Sequence, residues 1–122
     1  MPVIPPVSRA TFTIGTQAGD AINVAVQLKD SIGGEMAVRT TLAWYLSGNA
    51  NGDTLATAPN GGIAIGTDGL LIETLADLAG LVTSEADGDI DVTITDSGTP
   101  TVYLVLVMPD GSLEVSGAIT FA

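Results

Sequence analysis

The chain has no cysteine and no histidine among its 122 residues, and its only basic side chains are Arg9, Lys29 and Arg39. Without cysteine there is no disulfide, no thiolate nucleophile and no cysteine-based zinc site. Without histidine, the side chain that most often moves protons near neutral pH is missing. Three scattered cations do not form the basic patch that a phosphate backbone requires, so nucleic acid is not an expected partner. The same shortage, set against fourteen carboxylates and a net charge of −11, disfavours anionic membranes. Aromatics are few: Phe12, Trp44, Tyr45, Tyr103 and Phe121 are the whole supply. No uncharged run, Ser97 to Pro109 included, reaches the about 20 apolar residues of a membrane span. The start has no signal-peptide pattern.

What is present is strand-forming material. The chain is 46% hydrophobic with a mean hydropathy of +0.47, which excludes disorder despite the charge. The length fits one domain. Residues 1–8, with Pro2, Pro5 and Pro6, read as a stiff extended arm, and residues 9–122 as a single domain.

Alternation marks the strands. The first is expected over Arg9 to Ile14. The clearest runs from Ala21 to Lys29, with Ile22, Val24, Val26 and Leu28 on one face and Asn23, Ala25 and Gln27 on the other. Ala37 to Ser47 places Leu42, Trp44 and Leu46 together, so Trp44 is expected between two sheets. Tyr45 has the opposite parity and is a candidate partner contact. Ser47 to Gly62 reads as a projecting loop, with Thr54 to Ala58 as a short edge strand. Gly62 to Gly66 and Gly69 to Thr74 are two short apolar pieces. Leu70 to Leu81 fits either a helix or two strands with a turn, and the strands are preferred because Gly80 would lie in the helix. Asp89 to Thr95 turns Ile90, Val92 and Ile94 inward and Asp89 and Asp91 outward. Thr101 to Met108 is apolar on both faces and reads as a central strand. Pro109-Asp110-Gly111-Ser112 is a hairpin turn. Leu113 to Phe121 is the last strand, with Gly117 marking a bend. No internal repeat is evident. Seven to nine short strands make an all-β, immunoglobulin-like β-sandwich. Trp44 on the third strand resembles the core tryptophan of immunoglobulin domains.

No enzyme site is expected: catalytic residues none, cofactor none, metal none. Glu85, Asp87, Asp89 and Asp91 could offer oxygens to calcium, but their order fails the calcium-loop pattern, and they read as a solvated acidic face. Asn49, Asn51 and Asp53 are a weaker cation candidate and read as turn chemistry. Asp20 and Asp30 bracket a strand and cannot meet. Glu73 and Asp77 would sit one turn apart only on a helix.

Several stretches resemble a group of small virion proteins of tailed bacteriophages. They are Thr67 to Glu73, Val82 to Thr95, Val102 to Gly111 and Val115 to Phe121, with Val24 to Asp30 similar as well. The resemblance implies an immunoglobulin-like structural protein that decorates and stabilises the exterior of the phage capsid. It implies the major capsid protein as partner, a homo-oligomer on the lattice, synthesis in the host cytoplasm and residence on the virion. The alternative is a tail-associated domain, or an accessory domain that binds a host surface or carbohydrate. The arm Met1 to Ser8 and the loop Ser47 to Gly62 are the elements expected to touch a neighbour.

Overall fold

The computed structural model describes residues 5–122, so Met1 to Ile4 of the expected arm lie outside the described residues. The protein is all-β: ten strands form an immunoglobulin-like sandwich of two antiparallel sheets. They are β1 (Val7–Ile14), β2 (Ala21–Asp30), β3 (Thr41–Ser47), β4 (Ile63–Ile65), β5 (Leu70–Leu75), β6 (Ala79–Thr83), β7 (Asp89–Thr95), β8 (Thr101–Val107), β9 (Leu113–Val115) and β10 (Ile119–Thr120).

One sheet has the order β1-β2-β7-β4. The other runs β10-β8-β3-β6-β5, with β9 also on β8. The first matches the A-B-E-D sheet of immunoglobulin domains, and β8 and β3 stand where F and C stand. The pair β6 and β5 widens the second sheet as two extra strands do in variable domains, except that here the pair follows β4 in sequence.

The alternating pattern is realised as packing. Ile22, Val24 and Val26 lie opposite Ile94, Val92 and Ile90 across β2 and β7, and all six are buried. From the other sheet Leu42, Trp44, Leu46, Leu104 and Leu106 meet them. Trp44 is 2% exposed, as its parity predicts. Its indole N–H is the buried side-chain polar atom that lacks a hydrogen-bond partner among the described residues. A cavity of about 10 Å³ beside the indole is lined only by apolar neighbours, including Val82, Val92 and Leu104.

The differences from expectation have local causes. The first strand begins at Val7, which pairs with Asp30 and is buried in the core, so Val7 and Ser8 are sandwich, not arm. A single valine after two prolines gives no alternation to read. The last expected strand is two, β9 and β10, because the Ser116 hydroxyl takes the place of a strand neighbour. It accepts from Leu104 N at 2.9 Å and donates to Gly117 O at 2.8 Å, and the chain bends there. Thr54 to Ala58 is not a strand, and only Leu55 bridges Ser47. Leu70 to Leu81 is the hairpin β5–β6, turned through Asp77 at a φ of 59°.

Candidate functional site

Most of the carboxylates that could have formed a chemical site hold loops or turns. Asp91 does not face solvent as expected; it is 9% exposed, on the outer side of β7, beneath the segment Gly66 to Asp68. Its carboxylate accepts from Thr67 N at 2.9 Å, Thr67 Oγ1 at 2.8 Å, Asp68 N at 2.9 Å and Asn23 Nδ2 at 3.1 Å. Burial pushes its carboxyl up, but the hydrogen bonds from Thr67, Asp68 and Asn23 outweigh this and hold it below the ordinary range. Gly66 allows the close approach: a Cβ there would stand 1.8 Å from Asp91 Oδ1.

The rest of the acidic stretch splits, Glu85 turning to Gly69 while Asp87 and Asp89 stay beside each other. Glu85 accepts from Gly69 N at 2.8 Å and forms a surface ion pair with Arg39 at 3.4 Å. Asp87 accepts from Asp89 N at 3.2 Å. Burial, followed by the charges of Asp87 and Asp68, pushes the Asp89 carboxyl up. Among the described residues no three acidic side chains are grouped so that they could hold a metal ion.

The other candidates are turn fittings. Asn49 Oδ1 accepts from Asn51 N at 3.1 Å and Gly52 N at 3.0 Å, and Asn49 Nδ2 donates to Asp53. Asp30 accepts from Ile32 N and Gly34 N, closing the β2–β3 turn. Asp20 offers its backbone carbonyl to Asp96 N at 2.9 Å. Glu73 accepts from Asp77 N at 2.9 Å across the β5–β6 turn.

The feature that stands out is apolar. Of the seven large hydrophobics left exposed among the described residues, Leu55, Leu70, Ile72, Leu75, Leu81 and Leu113 belong to the second sheet or the loop against it, and Ile32 lies elsewhere. The strand register puts them on one outer face. Ile72 lies opposite Leu81, Leu81 opposite Ala43, Ala43 opposite Val107 and Val107 opposite Leu113. That unbroken row crosses five strands, or about 19 Å at a spacing of about 4.8 Å. A second row runs beside it through Leu75, Ala79, Tyr45, Val105 and Val115. No charged residue occupies either row. Leu70 and Ile72 are each 61% exposed.

Tyr45 stands on this face, as its parity predicts, but its hydroxyl is spent internally. It donates to Gly52 O and draws the Asn49 to Asp53 loop over Val105, which is fully buried. Gly52 takes a φ of 75°, and a Cβ there would stand 3.2 Å from the Tyr45 oxygen. The parity of β3 puts Ala43 and Tyr45 outward, but the rest of this face was not legible because β5 and β6 are apolar on both parities, and alternation alone does not choose which of their sides faces the core.

No protein-family model matches the chain. No curated protein matches it. Among solved structures it is similar to the cohesin module of a family 33 glycoside hydrolase from Clostridium perfringens ATCC13124, at 15% identity. The match covers 95% of this chain and 96% of that one, with a TM-score of 0.46.

Proposed function

We propose that the chain is a non-enzymatic structural protein that docks through the outer face of its second sheet. The observation that carries this reading is the charge-free apolar row from Ile72 to Leu113 on a protein of net charge −11. An apolar stripe of that extent on an otherwise acidic molecule suits burial against another protein. No catalytic step is invoked, because Asp91 and Glu85 are taken up by loop donors and no three acidic side chains are grouped among the described residues.

The partner we propose is the repeating protein surface of a tailed-bacteriophage particle, on the capsid exterior. The sequence resemblance to small virion proteins supports that choice. A lattice suits a modest docking face, since many weak contacts add through multivalency. The reading calls for no cofactor, no nucleic acid and no membrane.

Leu81→Lys tests it. Leu81 is exposed in the middle of the row, so the variant should melt within a few degrees of the parent while its occupancy on particles falls at least tenfold. Unchanged occupancy overturns the docking reading. Binding to isolated tails and never to heads overturns the capsid placement in favour of a tail-associated role.

A further inference from the structure

The sandwich is closed on one side and open on the other. On the closed side Ala10 N of β1 donates to Glu114 Oε1 at 3.1 Å, joining that edge to β9. Gln17 and Ala122 exchange two more hydrogen bonds beside it. The opposite side ends in β4 on one sheet and β5 on the other. Between them runs a groove of about 390 Å³, lined by Ile63 and Ile65 of β4 and by Leu70, Leu71 and Glu73 of β5.

The backbone of β5 is turned to use this groove. Ser84 N donates to Thr40 O at 2.9 Å, so Thr40 and Ser84 are a hydrogen-bonded pair. Such pairs alternate along an antiparallel ladder. Leu81 and Thr83 therefore turn their peptide groups toward β5, where they meet Ile72 and Leu70. Leu71 and Glu73 must turn theirs outward. The regular stretch Leu70 to Glu73 ends at the irregularity between Glu73 and Leu75. It is about 13 Å long at about 3.3 Å per residue, room for an added strand of about four residues. Its edge carries no proline, Ile72 ends the apolar row at its rim, and Leu70 stands exposed on the same face beside it.

Charge selects the occupant. Glu73 is the only charged residue lining the groove. Asp68 precedes β5, and Asp77 follows it and packs against Gly62, where a Cβ would stand 2.9 Å from its Oδ1. The cations are elsewhere: Arg9 pairs with Lys29 across β1 and β2, and Arg39 pairs with Glu85. A second copy would bring its own Glu73, and like charges facing across a new strand pair are unfavourable.

We infer that β5 accepts an extended segment of a protein partner as an extra strand, with apolar residues beside Leu70 and Ile72 and a lysine or arginine beside Glu73. This rests on the docking reading above and names how the partner would grip the side of the same sheet.

The test uses the full chain and three synthetic hexapeptides: alternating valine and lysine, alternating valine and glutamate, and the valine–lysine peptide with its two central residues, one of each kind, replaced by proline so that a donor to β5 is lost in either strand direction. Amide exchange at Leu71 and Glu73 is followed by NMR. The valine–lysine peptide should slow both amides at least tenfold, the glutamate peptide much less, and the proline peptide not at all. Glu73→Gln keeps an acceptor for Asp77 N and should narrow the lysine-over-glutamate preference several-fold. No protection, or equal protection by the proline peptide, overturns strand addition. Protection that grows with protein concentration and needs no peptide overturns the choice of partner in favour of a second copy. If Leu81→Lys abolishes particle occupancy while the edge stays unprotected, docking stands and this inference falls. If occupancy survives Leu81→Lys, the docking reading falls whatever the edge does.

Discussion

Asp89 and Asp91 lie two residues apart on the same outer face of β7, and their carboxyl groups are displaced in opposite directions. Asp91 is surrounded by donors from Thr67, Asp68 and Asn23. Asp89 has Asp87 and Asp68 for neighbours. The two positions look alike in the sequence, and the loop makes the difference by giving its donors to Asp91 and the charge of Asp68 to Asp89.

Asp91 should act as a latch with an acid limit. Its folded-state pKa lies below the ordinary value of 3.8, so its ionised form favours the fold. That stabilisation is complete above the ordinary value and is lost as pH falls through the lowered one. Asp91→Asn should flatten this acid limb in a urea-unfolding series against pH. Asp91→Ala should cost about 1–3 kcal/mol at pH 7 by leaving the loop donors unpaired. Gly66→Ala, which drives a methyl into the same carboxylate, should be strongly non-additive with Asp91→Ala in a double-mutant cycle.

Asp89 should have the opposite sign. A raised folded-state pKa means its contribution is full below the ordinary carboxylate value and is lost as pH rises through the raised one. Asp89→Asn should therefore raise the melting temperature slightly at pH 7, and the gain should vanish near pH 3 (~1 unit below the usual Asp range). An equal gain at both pH values would remove the electrostatic explanation.

Trp44→Ala should cost about 3–5 kcal/mol, as deletion of a large core aromatic does. Trp44→Phe should cost distinctly less, because it also removes an indole N–H that has no partner. Chemical denaturation of both variants checks the order. A near-native curve for the alanine variant would contradict the packing described here.

A chelator should leave the melting temperature unchanged, since Glu85 and Asp91 are taken up by separate loop donors and no three acidic side chains are grouped among the described residues. Calorimetry with and without a chelator, then with added calcium, is the measurement. A fall on chelation that calcium restores would reveal a site in that stretch.

Strands with strict alternation were legible from the sequence. β2 and β7 are half-buried ribbons, so one parity is apolar and the other polar, and their inward residues followed directly. The Pro109 to Ser112 turn was legible from its residues: Gly111 takes a φ of 88°, and Met108 N bonds Ser112 O at 2.8 Å. Burial of Asp91 was not legible, because it depends on Thr67 arriving from 24 residues away. The apolar face was hidden for a related reason: Leu81 and Ile72 are as apolar as Val82 and Leu71, and only tertiary packing gives the inward role to the latter pair.

The first sheet also sets a timetable for folding. Its inner strands, β2 and β7, are joined across a gap illustrated by Asn23 and Asp91, 68 residues apart. At a synthesis rate of about 5–20 residues per second, β2 waits roughly 3–14 s for its partner to be made. During that time β1 and β2 can form only a hairpin, with Ile22, Val24, Val26 and Leu28 uncovered. Completion of this protein is thus a late, non-local event, and a newly made chain passes through a sticky half-built stage before its acidic surface can keep copies apart.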